Sequence, residues 1–458
     1  MKKVSLIAAA VTTALMAGAA YAESEVALDV TSGDSAMEVE VKNPTDILTD
    51  GWEVHGYMSS NYRLIDGNTN ATTFNKGDYH VAGSSATSES TNQVEFVIKK
   101  HTEYGNGVWS NYNVRAEYGN GNSYAYSSSG NQKNNTDSQF EIKEAFVEIG
   151  ALPYLGSDSV VWAGQRFLNR SAGILSGEFW KQSSGVGAGF ETKLAGNKAG
   201  VALVSADPSN TINEGDPVFD DNGNQIGGIE RKTRTSLDLY YYGVDAGIGS
   251  LDFDAKFMKQ DKNNVSGADE AESGIGLSVT LNSSYYGLDG WAQTGIAYGT
   301  GMATNRGVNF GEWNDTFLED DKSLFITSYG VLNISDNLQL GTEFTHWEML
   351  EIGAWGLDDG GSRTMFAARP SYKINDNFRF EVTASYSIEK AEQWHAEDGS
   401  WVFVEAAPIF TVNADYFGRP QIKPYVAYMT ALEDGVGNKG IDGSKDETVV
   451  GVHAEIWF

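Results

Sequence analysis

The chain has 458 residues, no cysteine, and 62 acidic against 32 basic residues, a formal charge of −30 at neutral pH. So acidic a chain excludes nucleic acid as a partner, because phosphate binding requires a basic face. With 52 glycines, only 8 prolines, and 22 tyrosines, 21 phenylalanines and 11 tryptophans, the composition predicts a β protein rich in tight turns.

The first residues read as an address. Lys2 and Lys3 precede an apolar stretch from Val4 to Ala20, and Ala20-Tyr21-Ala22 supplies a small-residue cleavage site. That is the pattern of a secretory signal peptide over residues 1–22. The apolar run is short for a retained membrane helix, and no later run of about 18 apolar residues predicts a helical span. Missing cysteines are permissive in an exported chain, since a large hydrogen-bonded fold needs no disulfide staples. Residues 23–50 are acidic, with one lysine and no aromatic residue. They read as a solvated periplasmic extension, with an oligomerising or ligand-capturing arm as the alternative.

From Gly51 to Phe458 the chain becomes short alternating segments divided by Gly, Asn, Asp and Ser. Trp52, Val54, Gly56 and Met58 share one strand face; Glu53, His55, Tyr57 and Ser59 share the other. Val94, Phe96 and Ile98 likewise oppose Gln93, Glu95 and Lys99. TSLDLYYYGVDAGIG, SLDFDAKFMKQ and DNFRFEVTASYSIE follow in the same style. At the end, Val450, Val452, Ala454, Ile456 and Phe458 form an apolar face, while Val449, Gly451, His453, Glu455 and Trp457 form the opposite one.

Repeated alternating segments of about ten residues predict an all-β fold, a transmembrane antiparallel β-barrel. Lipid demands that every backbone group be paired, which a closed barrel provides, with the apolar face outward and the polar face toward water. Trp52, Tyr62 and Phe458 fit the aromatic belts at the headgroup level. Ile334-Ser335-Asp336-Asn337 and Ile374-Asn375-Asp376-Asn377 read as periplasmic turns, and 119–139, 207–231 and 303–321 as outer loops. Strand-plus-connection units of this size predict roughly 16–20 strands, wide enough for a channel.

One local signal is sharper. Residues 160–191 contain Trp162-Ala163-Gly164-Gln165-Arg166-Phe167, followed by Gly185-Val186-Gly187-Ala188-Gly189. This stretch resembles the maltoporin-type sugar porins, whose third outer loop folds into the channel between two such segments. His55-Gly56-Tyr57, Arg419-Pro420 and Glu455-Ile456-Trp457 extend the resemblance from 51 to 458. It implies an 18-stranded barrel, a homotrimer in the outer membrane, and passive sugar uptake along a spiral of aromatic rings beside a track of ionisable groups. Such a lining suits sugars, whose C–H faces stack on rings while their hydroxyl rims exchange hydrogen bonds with charged groups. Weak binding at several sites lets the sugar leave as well as enter.

Carried over position by position, the resemblance places Tyr57 on the first aromatic of the slide and Trp457 on the last. Both belong to the polar-face parity read above. Phe417 stands where the family has a tryptophan before Arg-Pro, with strand-end packing as its other reading. Glu95, Lys143 and Arg170 match acidic, basic and basic positions of the ionic track; a salt-bridge network stiffening the inner wall is the alternative for the two cations. Phe179 takes the place of a constriction tyrosine. Tyr124 or Tyr126 is the ring that a neighbouring subunit would contribute, or an ordinary loop residue. The chain also departs from the pattern: Gln93 replaces a slide tyrosine, Ser59 replaces an arginine, and Gly177 replaces the constriction aspartate.

The other readings are a general diffusion porin, which would line its constriction with charge, and a barrel enzyme. The six histidines are scattered, and neither G-x-S-x-G nor H-E-x-x-H occurs. No enzymatic activity, cofactor or metal is therefore expected.

Overall fold

In a computed structural model, which describes residues 51–71, 82–88, 91–119, 139–206, 218–219, 225–227, 234–260, 270–311, 314, 317–353, 360–390, 398–433 and 444–458, the alternating segments form one closed sheet. Its wall has 18 antiparallel strands. The first six are β1 (Trp52–Ile65), β2 (Asn92–Glu103), β3 (Trp109–Gly119), β4 (Gln139–Gly150), β5 (Val160–Ala172) and β6 (Phe179–Leu194). Next come β7 (Asn197–Ala206), β8 (Arg234–Asp245), β9 (Gly249–Lys259), β10 (Ser273–Tyr285), β11 (Leu288–Gly301) and β12 (Lys322–Ser335). The wall is completed by β13 (Leu338–Glu351), β14 (Gly361–Asn375), β15 (Phe378–Lys390), β16 (Gly399–Thr411), β17 (Gln421–Ala431) and β18 (Asp446–Trp457). Residues 1–50 and the loop carrying Tyr124 and Tyr126 lie outside the described residues.

Closure is set by the two ends of the barrel. β18 returns to β1 in antiparallel register, from Tyr57 opposite Trp457 to Ile65 opposite Val449. Phe458 and Gly56 then exchange two backbone hydrogen bonds, at 2.8 and 3.0 Å. No free edge is left at this seam, as lipid requires. The faces follow the sequence parity: Met58, Tyr62, Phe96, Ile98, Val450 and Val452 are exposed, whereas Ser59, Asn61, Arg63, Glu95, His453 and Glu455 are buried. Trp52 and Phe458 are exposed at the end of the barrel that carries the short turns, and Tyr62 toward the other end.

At the first of those ends, strands join through two-residue turns at 195–196, 286–287, 336–337 and 376–377, which include both expected junctions. Longer connections gather at the opposite end. The 303–321 connection does not stay outside. Its Asn309–Phe310 strand enters the barrel and pairs in parallel with Gln182 and Ser183 of β6.

The β5–β6 hairpin is what divides the interior. β5 pairs with β4 only from Val160 to Gln165, and β6 pairs with β7 only from Val186 onward. The two strands still pair with each other as far as Ala172 and Phe179, so the tip of the hairpin leaves the wall and crosses the lumen. The residues that carried the family resemblance lie at its base. Arg166 bonds Glu148 at 3.3 Å and lies over the rings of Phe146 and Trp162, at 4.5 and 4.8 Å. Trp162 lies across Gly189, where an added Cβ would come within 2.4 Å of the indole nitrogen. Gly164, with φ +135, passes so close to the Ala145 carbonyl that a side chain is excluded.

The tip docks on the far wall. Trp180, 1 % exposed, stacks on Phe325 at 6.2 Å and its ring occupies the space over Gly295. Glu178 pairs with Arg306, which lies 5.0 Å over the Trp347 ring. Apolar side chains of β11 to β16, including Trp291, Trp401 and Phe403, fill that side of the barrel.

Candidate channel constriction

A cavity of about 520 Å³ lies between the hairpin and the arc formed by β1 to β4 and β14 to β18. Among the described residues, four phenyl rings reach it, Tyr57, Phe167, Phe179 and Tyr416, together with the His453 imidazole. Charged side chains interleave with them. On the hairpin side Arg170 sits 3.5 Å from the centroid of Phe179 and 4.3 Å from that of Phe167, so guanidinium and rings form one stacked surface. Lys143 and Glu117 stand beside it on β4 and β3.

Lys143 owes its place to a β-bulge. Arg115 pairs with Glu144 and Ala116 with Ile142, so Lys143 is the extra residue between them. A regular strand would turn Lys143 and Glu144 to opposite faces; the bulge turns both inward. Lys143 pairs with Glu141 at the cavity, while Glu144, 4 % exposed, stands 3.8 Å from Arg115 in the wall behind. Glu95 belongs to that buried layer too. It pairs with Arg115, is 3 % exposed, and does not line the cavity.

The opposite side is built around Glu455. It accepts from Arg419 at 2.6 Å, from Gln421 at 2.8 Å and from the Tyr57 hydroxyl at 3.2 Å. Arg419 in turn lies 4.4 Å over the Trp457 ring. Trp457 is thus on the inner face but one step toward the short-turn end from the cavity lining, half-buried against the apolar cluster. His453 bonds Ser59 at 2.7 Å and Ser85 at 3.2 Å, tying the inward segment 82–88 to the wall. Arg369 donates to the Gly83 carbonyl of that segment at 3.0 Å.

Of the residues named from sequence, the structure gathers Tyr57, Lys143, Arg170 and Phe179 at the cavity, with Trp457 beyond it toward the short-turn end and Glu95 in the wall behind. Phe417 is 5 % exposed and packs edge-on against Tyr416 at 4.7 Å, and it is Tyr416 that lines the cavity. Residues 412–420 form a turn rather than a strand, with a 2.8 Å bond from the Gly418 amide to the Asp415 carbonyl, and this turn presents Tyr416 rather than Phe417 to the cavity. Burial pushes the Tyr416 phenol up to about 12, so it remains protonated at neutral pH. Gln93 lines the cavity and donates to Glu95 and Glu117, at 2.8 and 3.1 Å. The position that lacks a ring therefore ties two carboxylates together instead. Gly177 leaves the hairpin tip open to the cavity.

Comparison with known proteins meets this geometry. The LamB porin family model matches residues 53–458. The chain belongs to the LamB porin family. Among curated relatives, a maltoporin of Vibrio cholerae serotype O1 is 26% identical over 484 residues, covering all of both chains. Maltoporin 1 of Aeromonas salmonicida is 26% identical over 339 residues, 70% of this chain and 74% of its own. Among solved structures, Acinetobacter baumannii OccAB2 superposes with a TM-score of 0.47 at 11% identity, over 89% of this chain and 98% of that one. The protein is an outer-membrane porin of Gram-negative type, a channel class rather than an enzyme class.

Proposed function

We infer that this porin admits saccharides by passive diffusion through the cavity described above, and that it works as a homotrimer. The observation that carries the reading is the interleaving of rings and charged groups around one cavity. Tyr57, Phe167, Phe179 and Tyr416 offer faces for the C–H surfaces of a sugar, while Arg170, Lys143, Arg419 and Glu455 face its hydroxyl rim. Trp457 stacks the sugar as it leaves, Phe417 supports Tyr416 from behind, and Glu95 holds Arg115 in the wall. Relatives named maltoporin support a saccharide cargo. Trimeric assembly rests on the family resemblance of the sequence.

The charged groups of the same lining favour a second reading, a general diffusion pore for small hydrophilic solutes. Purified protein in planar bilayers separates the two. Reversible block of the ion current by linear oligosaccharides is expected. Free passage of ions and small solutes with no block by any sugar of a broad panel overturns the saccharide reading. Cross-linking of the purified protein is expected to yield a trimer as its largest species.

A further inference from the structure

Three carboxylates line the cavity among the described residues, and one of them differs from the other two. Glu381 pairs with Arg379 at 2.8 Å, and Glu455 pairs with Arg419 at 2.6 Å. Glu117 pairs with no cation among the described residues; its one hydrogen bond there comes from the Gln93 amide at 3.1 Å. The basic groups on the neighbouring strands are engaged elsewhere, Lys143 with Glu141 and Arg115 with Glu95. Glu117 is half-buried at the cavity, so its remaining lone pairs are left for a donor arriving from the lumen.

Gln93 is held in one orientation by the same contact. Its Nε2 donates to Glu95 at 2.8 Å as well as to Glu117. An ionised carboxylate only accepts, so both amide hydrogens are used and Oε1 is the atom left over. Gln93 Oε1 and Glu117 thus make an edge of acceptors on two adjacent strands, β2 and β3, and a ligand must meet it with donors. Tyr57 stands on the far side of Glu95, for the register sets Tyr57 opposite Glu95 and Glu95 opposite Glu117. Tyr57 and Glu117 are therefore two strand spacings apart, roughly 10 Å, which is room for one pyranose with its hydroxyls. The Tyr57 hydroxyl is already given to Glu455, so what Tyr57 offers a ligand is its ring.

Resting on the saccharide reading above, we propose that Tyr57, Gln93 and Glu117 form a subsite that holds one sugar residue by two adjacent unsubstituted hydroxyls. The ring of Tyr57 takes the C–H face, one hydroxyl donates to the Glu117 carboxylate, and its neighbour donates to Gln93 Oε1. The subsite selects sugars that carry both hydroxyl hydrogens and rejects those in which either is replaced. Glu117 is the main specificity-determining residue, and Gln93 both binds and holds Glu117 in place.

The test is current block in planar bilayers by maltotetraose, cellotetraose and laminaritetraose, and by the permethylated form of whichever blocks tightest. Permethylation keeps the ring faces and removes every hydroxyl hydrogen. Glu117→Gln keeps the shape of the side chain and its bond from Gln93, and is expected to raise the blocking concentration of the tightest tetrasaccharide roughly tenfold, the loss of one hydrogen bond to a charged acceptor. Gln93→Met should raise it severalfold. Neither change should improve block by the permethylated sugar, so the preference for the native one shrinks in both variants. Exclusion of a polyethylene glycol of similar mass, which reads pore width and offers no ring or hydroxyl rim, should be as in wild type. Block that is unchanged in both variants, or that falls equally for native and permethylated sugar, overturns the proposal and leaves the saccharide channel standing. Altered polyethylene glycol exclusion together with weaker block makes the two residues structural and also overturns it. No block of the wild-type channel by any of the sugars overturns the saccharide reading itself.

Discussion

Glu343, on β13, accepts hydrogen bonds from the backbone amides of Leu175 and Ser176 at the tip of the inward hairpin, at 2.5 and 3.1 Å, and from the Ser176 hydroxyl. A carboxylate on the far wall thus fixes how far the hairpin crosses the lumen, and so fixes one side of the channel. Glu343→Ala leaves those buried donors without partners, at roughly 1–3 kcal/mol each. The expected result is a tip that detaches: larger single-channel conductance with added flicker, and an intact barrel by circular dichroism. Glu343→Gln keeps an acceptor and should lie between the two. Unchanged conductance in Glu343→Ala would mean that Trp180 and the Glu178–Arg306 pair hold the tip unaided.

Trp457 opposes Tyr57 across the closing seam and carries the Arg419 guanidinium on its ring. If it is the last ring on the sugar's path, Trp457→Ala should weaken oligosaccharide block about three- to tenfold, the worth of one stacking contact of ~0.5–1.5 kcal/mol. Assembly should be retained, because the backbone ladder at this seam does not depend on the side chain. Loss of folded barrel from the membrane fraction would instead give Trp457 a structural role.

The barrel itself was legible because a period of two is forced on any strand with lipid on one side and water on the other. That is why Tyr57 and Trp457 could be set on the inner face from β1 and β18 alone. What escaped the pattern did so at points where the period breaks. The bulge at Lys143 brings Lys143 and Glu144 to the same face, and no local residue type announces it. The turn at 412–420 exchanges Tyr416 for Phe417 at the cavity. Glu343 escaped for another reason. Its partners lie 167 and 168 residues away in sequence, and only the crossing of the hairpin brings them together. The Trp-Ala-Gly and Gly-x-Gly-Ala-Gly segments pointed to an inward loop, and the structure supplies the cause in the Arg166–Trp162 stack over Gly189.

The exchange at 416 and 417 predicts different effects on block for two adjacent buried residues. Tyr416→Ala removes a ring from the lining and should weaken oligosaccharide block severalfold, and it should cost stability too, because Tyr416 is itself 3 % exposed and packs over Gly341. Phe417→Ala empties a buried site and should cost about 3–5 kcal/mol, lowering the midpoint of thermal unfolding in detergent. Its effect on block should be the smaller of the two. A larger loss of block in Phe417→Ala than in Tyr416→Ala would return Phe417 to the lining.

Phe458 makes the last contact of the chain, and its backbone and side chain are separable. The backbone pairs with Gly56, and the ring covers the space above Gly56 on the lipid side, where an added Cβ would come within 2.3 Å of it. An aromatic ring laid over a strand glycine shields backbone that lipid cannot hydrate. Phe458→Ala keeps both backbone bonds but loses this cover, whereas deletion of Phe458 loses the bonds as well. Heat-modified mobility on gels should therefore show partial loss of folded barrel for Phe458→Ala and a deeper loss for the deletion. A third protein, Gly56→Ala, should match Phe458→Ala, since its methyl group displaces the same ring; wild-type behaviour there would refute the ring as the closing element.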